Sequence, residues 1–228
     1  MNKKLDAIIL CGGRGERLRP LTDTIPKPLI PIKGKPILHH IIEYFNKSPL
    51  SNFIIAAGYK ANMIEDYMKN FKDSFNCSII DSGQCDIIIR IKECMKKIPN
   101  KDFLVLYGDT LSDINILELI KFHKNHGKKA TVTLWQLKSQ FGLMEISNEG
   151  LVESYIEKPT LDKWINIGYF YFSKEIQNYL KNFDKFEVFL KDLIKNKELY
   201  SYRHYGMHIT VNTHKELSEA EQNIDLLD

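Results

Sequence analysis

No apolar run in this 228-residue chain approaches the length needed to cross a bilayer. Met1-Asn2-Lys3-Lys4 leads toward a short strand rather than a signal-peptide core with a cleavage site, so the expectation is a cytoplasmic protein with no membrane partner. Cysteine is sparse as well. Cys11, Cys77, Cys85 and Cys94 have no Cys-x-x-Cys spacing, which argues against a zinc ribbon or a disulfide framework and leaves free thiols. Charge of one sign is not in excess: 32 Lys and Arg oppose 29 Asp and Glu, a formal net charge of +3. With the lysines dispersed, no dedicated nucleic-acid surface is expected, whereas small acidic substrates remain compatible. The histidines are scattered too, at His39, His40, His123, His126, His204, His208 and His214, and suggest no metal cluster. There is no internal repeat, low-complexity linker or composition break, and the length and apolar fraction suit a single domain over residues 1–228.

What is present begins at Asp6 to Cys11, a β-branched run without alternation that reads as a strand buried on both faces. It feeds directly into Gly12-Gly13-Arg14-Gly15-Glu16-Arg17, and then Pro26-Lys27-Pro28. The glycines let backbone amides approach a phosphate, and Arg14, Arg17, Arg19 and Lys27 can surround it with charge. The spacing matches neither a Walker loop nor Gly-x-Gly-x-x-Gly, so a nicotinamide-dependent dehydrogenase is disfavoured.

The order of elements that follows implies an α/β fold. A helix is expected from Pro36 to Lys47, a strand from Asn52 to Ala57, a helix from Ala61 to Phe71 and a strand from Asn76 to Asp81. Asp86 to Lys97 is ambiguous, because Ile87-Ile88-Ile89 suits either helix or strand. Asp102 to Tyr107 is a clear strand that stops at Gly108-Asp109, placing a carboxylate where open α/β sheets bind ligands. Asp113 to Asn125 reads as a helix with Asp113 as its N-cap and Gly127 beyond its end. Lys129 to Gln136 is a strand, and Phe141 to Ser147 with Leu151 to Ile156 form a hairpin around Asn148-Glu149-Gly150. A strand from Ile165 to Phe172, helices about Lys174 to Lys181 and Phe186 to Lys195, short strands at Leu199 to Tyr202 and His208 to Val211, and a closing helix from His214 to Leu227 complete the order.

The stretch Leu10-Cys11-Gly12-Gly13-Arg14-Gly15-Glu16-Arg17-Leu18, followed by Pro26-Lys27-Pro28, resembles the sugar-1-phosphate nucleotidyltransferases. Tyr107-Gly108-Asp109-Thr110, Phe141-Gly142, Glu157-Lys158-Pro159 and Trp164-Ile165-Asn166-Ile167-Gly168 extend the resemblance toward the glucose-1-phosphate cytidylyltransferase branch. That resemblance implies a doubly wound, Rossmann-like, mostly parallel mixed sheet with helices on both faces and a small β-hairpin appendage. It implies transfer of a nucleotidyl group from a nucleoside triphosphate, CTP first, to a sugar 1-phosphate, with release of pyrophosphate. Leu10, Gly12, Gly13, Arg14, Gly15, Glu16, Gln84 and Gly108 would bind the nucleotide. Arg17 and Lys27 would stabilise the transition state, and Gly142, Glu157, Lys158 and Asn166 would bind the sugar phosphate. Asp109 and Asn212 would hold Mg²⁺. Enzymes of this kind are usually dimers or larger, which implies a homo-oligomer.

The departures from the pattern are specific. Glu16 replaces a Thr and would have to point away from a phosphate; Asn212 replaces an Asp, so the metal site loses one negative charge; and Ile88-Ile89-Arg90 stands in place of Gly-Gly-Arg beside the base segment Asp81-Ser82-Gly83-Gln84. They keep other readings open: a GTP-dependent heptose-1-phosphate guanylyltransferase, a cytidylyltransferase of a different phosphate for capsule assembly, or an inactive nucleotide-sugar-binding regulatory module.

Overall fold

The computed structural model describes residues 5–71 and 74–227. Its main sheet is built from β1 (Leu5–Cys11), β2 (Leu50–Ala57), β3 (Cys77–Asp81), β4 (Phe103–Tyr107), β5 (Ala130–Lys138), β6 (Thr160–Phe172) and β7 (Leu199–His204), in the spatial order β7-β5-β6-β4-β1-β2-β3. β1 pairs in parallel with β2 and β4, β2 with β3, and β5 with β7, while β6 is antiparallel to both β4 and β5. The sheet is therefore mixed and mostly parallel, as expected.

Successive residues of β1 enter different cores. Ala7, Ile9 and Cys11 pack with side chains from α1 (Ile37–Asn46), α2 (Ala61–Lys69), α4 (Ile116–His126) and α6 (His214–Asn223). Ile8 packs on the opposite face with α3 (Ile87–Met95) and α5 (Phe186–Lys195). Helices on both faces leave no solvent side, which is why the strand needs an unbroken apolar run. Each such aliphatic side chain contributes about 1.5–3 kcal/mol of burial free energy.

The ambiguous Ile87-Ile88-Ile89 run is helical. Asp86 caps it, its carboxylate accepting from Ile88 N at 3.1 Å, and Ile88, Ile91 and Cys94 are buried against the second core. The expected cap at Asp113 is corrected: Asn115 is the N-cap of α4, accepting from Leu117 N at 3.0 Å and Glu118 N at 3.2 Å. The physical reason is a strand pair absent from the sequence reading. Thr110–Ser112 pairs with His208–Thr210 and holds the chain extended, and Asp113 then accepts from Met207 N at 2.7 Å beside His204. The closing helix stops at Asn223 and tightens into a 3₁₀ turn over Ile224–Leu227. The expected hairpin forms from Leu143–Ile146 and Val152–Ile156. Among the described residues, no helix is long and apolar enough to cross a membrane.

The strand order places the carboxyl ends of β1 and β4 side by side where the connection direction reverses. Such a crevice is the usual ligand position of open α/β sheets.

Candidate functional site

A cavity of about 370 Å³ opens at this crevice. Leu10, Gly12, Gly13 and Arg14 follow from β1, Gln84 from the segment after β3, and Asp109 from the end of β4, and all of them line it. Residues far apart in sequence and named from separate motifs are thus brought to one concavity.

Gly108 explains how β1 and β4 close on one another. Its amide donates to Leu10 O at 3.0 Å, and a Cβ on it would lie 2.7 Å from that same oxygen and 2.6 Å from Cys11 Sγ. Burial, reinforced by the Asp109 charge, pushes the Cys11 thiol far above its usual range, so this buried cysteine packs as a small apolar side chain.

At the outer rim, basic groups meet an amide and a carboxylate. Lys27 Nζ donates to Asp109 Oδ2 at 2.5 Å and to Asn212 Oδ1 at 2.9 Å, and Arg17 Nη2 donates to the same Asn212 oxygen at 2.8 Å. Asn212 is fixed from behind. Its Nδ2 donates to Thr210 Oγ1 at 2.9 Å and its backbone N to Glu216 Oε2 at 2.7 Å, so its carbonyl is the end left for the cations. Lys27 is only 8 % exposed, which strengthens its pairing with Asp109 relative to a surface ion pair. The strand pair absent from the sequence reading accounts for this meeting, because Val211 N donates to Asp109 O at 3.2 Å as His208–Thr210 runs alongside Thr110–Ser112.

Gly15 and Glu16 follow the lining residues, with Gly15 in the left-handed conformation. A 3₁₀ turn follows from Glu16 to Leu18, and the Glu16 side chain is exposed near Arg19, the outward orientation its charge required. Thr22 Oγ1 donates to Gly15 O at 3.0 Å, Tyr59 OH to Thr22 O at 2.9 Å, and Lys60 Nζ to Asp23 O at 2.8 Å. These braces, with Arg90 and Tyr107, were missed in the sequence; a Gly-Tyr-Lys after an apolar strand gives no signal of what it will touch.

The expected acceptor residues lie elsewhere. Glu157 and Lys158 are exposed at the base of the hairpin, 3.8 Å apart, with Glu157 also hydrogen-bonded by Tyr155 OH, and Tyr155 fills the space beside Gly142. Asn166 alone comes near the cavity: its Oδ1 accepts from Gly168 N at 2.8 Å, and Gly168 sits against the ring of Tyr107, a lining residue. Burial, and then the Asp109 charge, raise the pKa of the Tyr107 phenol, which stays neutral.

The arrangement can grip an extended anion, with amides and arginine at one end, ammonium and guanidinium at the other, and oxygens suited to a hard cation between them. Comparison with known proteins agrees with that chemistry. The chain matches the family described as Nucleotidyl transferase over residues 6–222. It is 34 % identical to a Bacillus subtilis (strain 168) protein named "Probable glucose-1-phosphate cytidylyltransferase", with 96 % of this chain and 95 % of that one covered. It is 33 % identical to the glucose-1-phosphate cytidylyltransferase of Salmonella typhimurium, covering 78 % of this chain and 79 % of that protein. The crystal structure of HddC from Yersinia pseudotuberculosis complexed with GMP-PN superposes with a TM-score of 0.76 at 25 % identity, covering 96 % of this chain and 99 % of that one. The chain belongs to the nucleotidyl transferase family and is an enzyme of the sugar-phosphate nucleotidyltransferase type.

Proposed function

We propose that this enzyme transfers a cytidylyl group from CTP to the phosphate of a hexose 1-phosphate, giving a CDP-sugar and pyrophosphate. The observation that carries the reading is the meeting of Arg17, Lys27, Asp109 and Asn212 at the rim of a cavity lined by Gly12, Gly13, Arg14 and Gln84. In-line attack joins two anions, so the barrier is lowered chiefly by positioning and by preorganised charge.

In this reading the amides of the Gly12–Gly15 turn and Arg14 hold the triphosphate, and Gln84, with both a donor and an acceptor, faces the base. Arg17 and Lys27 neutralise the charge that develops on the transferred phosphate and the departing pyrophosphate. Asn166 and Gly142 orient the acceptor, with Glu157 accepting from sugar hydroxyls and Lys158 on the acceptor phosphate.

The residues fit a bound Mg²⁺. Asp109 Oδ2 and Asn212 Oδ1 already converge on one positive charge, the Lys27 ammonium. Asp109 and Asn212 would offer the ion one carboxylate and one amide oxygen, a donor set that suits Mg²⁺ beside substrate oxygens. Bound there, Mg²⁺ would supply charge neutralisation to the phosphates.

A guanine nucleotide is the second reading, favoured by the HddC structure with GMP-PN and by the absence of the glycines before Arg90. The test is pyrophosphate release from CTP, GTP, UTP and dTTP, each paired with glucose, mannose and heptose 1-phosphates. Fastest turnover with CTP and a hexose 1-phosphate is expected; faster turnover with GTP selects the second reading, and silence in every pairing rejects both.

A further inference from the structure

Arg90 on α3 is 5 % exposed, yet among the described residues its polar partners are backbone carbonyls rather than carboxylates. Its Nη1 donates to Ala57 O at 2.6 Å, and its Nη2 to Gly12 O at 3.2 Å and Gly83 O at 2.7 Å. These oxygens belong to the end of β2, the glycine turn after β1 and the segment after β3. A buried guanidinium without a counter-charge is costly, and three carbonyl dipoles offset that cost only in part.

The fork also fixes peptide planes. In a trans peptide the carbonyl of one residue and the N–H of the next point in opposite directions. Gly12 O is held by Arg90 and by Tyr59 N at 3.3 Å, which turns the Gly13 N–H away from them. Holding Gly83 O does the same for the Gln84 N–H. Gly13 and Gln84 both line the cavity, and among the described residues neither amide donates to a protein acceptor. Gly12 must be glycine for the arrangement to exist, because a Cβ there would lie 2.1 Å from the guanidinium carbon.

We infer that Arg90 is a positioning residue: it aims the Gly13 amide at the phosphates and the Gln84 amide at the base, while its unpaired charge makes the cavity floor attractive to anions. The inference rests on the proposed nucleotide site. A lysine at this position would keep the charge but lose the planar fork that reaches separate carbonyls, so charge and aim can be separated.

The test uses the full-length enzyme and two probes, inorganic pyrophosphate and CTP, titrated calorimetrically into the wild type, Arg90→Lys and Arg90→Met, with thermal melting as the fold control. Both variants should bind each probe about 10- to 100-fold more weakly. On the wild type, the Gly13 and Gln84 amide resonances should shift on saturation with CTP, a readout that does not depend on a variant folding. Full affinity in Arg90→Lys would reduce Arg90 to a source of charge, and unchanged affinity in a folded Arg90→Met, or unmoved amides in the wild type, overturns the inference while leaving the site reading intact. If the wild type binds no probe and none of the other triphosphates, the proposed function and this inference fall together.

Discussion

The glycine turn with its basic rim and the hairpin of Leu143–Ile146 and Val152–Ile156 sit at opposite extremes of how a protein holds a functional residue. Around the turn, side chains from several elements brace one another: Lys27 is held by Asp109 and Asn212, Asn212 by Thr210 and Glu216, and the Gly12 carbonyl by Arg90. In the hairpin, Met144, Ile146, Val152, Tyr155 and Ile156 are each more than half exposed, and Glu157 and Lys158 answer mainly to one another and to Tyr155. A two-stranded ribbon supplies little stability by itself. The proposed nucleotide contacts are thus set in a cross-braced frame, and the proposed acceptor contacts on an exposed ribbon.

The comparison breaks if the rigid half proves dispensable. Lys27→Met should lower kcat by about 10²–10³-fold with the fold retained, and Asp109→Asn should do comparable damage, read as pyrophosphate release. Full turnover in either variant would move the reacting centre elsewhere.

Stability should divide along the same line. Ile9→Ala removes a side chain with no exposed surface and should cost about 2–5 kcal/mol in urea unfolding. Ile146→Ala, at a site 67 % exposed, should change stability by no more than about 0.5 kcal/mol. Equal losses would mean that the hairpin is covered in solution.

Acid should expose the buried histidines next. Burial, and then the neighbouring His126, lower the His123 pKa to about 4; burial, and then His204, lower that of His208 to about 4. Unfolded, both bind protons near pH 6.5, so between about 6.5 and 4 the unfolded chain binds more protons and stability falls as pH falls, with a plateau above. Melting temperatures across that range test this, and His123→Gln should flatten the slope.

The hairpin base should show a modest effect. Glu157→Gln or Lys158→Met should raise KM for the sugar phosphate by about 10-fold and leave KM for the nucleotide unchanged, as expected from losing one charge-assisted contact. A matching rise in nucleotide KM would tie the two halves more tightly than their contacts imply.

Much of the rigid half could be read from sequence, because buried parallel strands are long apolar runs and the glycine turn and Gly108-Asp109 fall at their carboxyl ends. Asp109 was identifiable for that reason alone. Arg90 was not, since its carbonyl partners lie 33, 78 and 7 residues away and only the closed sheet gathers them. The helical state of its segment was itself ambiguous until packing against Ile8 and Ile54 decided in favour of α3. The Asp113 cap failed for a related reason: a three-residue strand pair gives no periodic signal but is enough to move the helix cap two residues along, to Asn115.

β6 joins the two regimes in one continuous strand. Its first residues, Thr160 to Lys163, lie toward solvent beside the hairpin, and its last, Gly168 to Phe172, are buried to the end. Amino-acid replacements are therefore filtered unequally along its length. The exposed outer part tolerates replacement without disturbing the inner part, which pairs with β4 just ahead of Asp109.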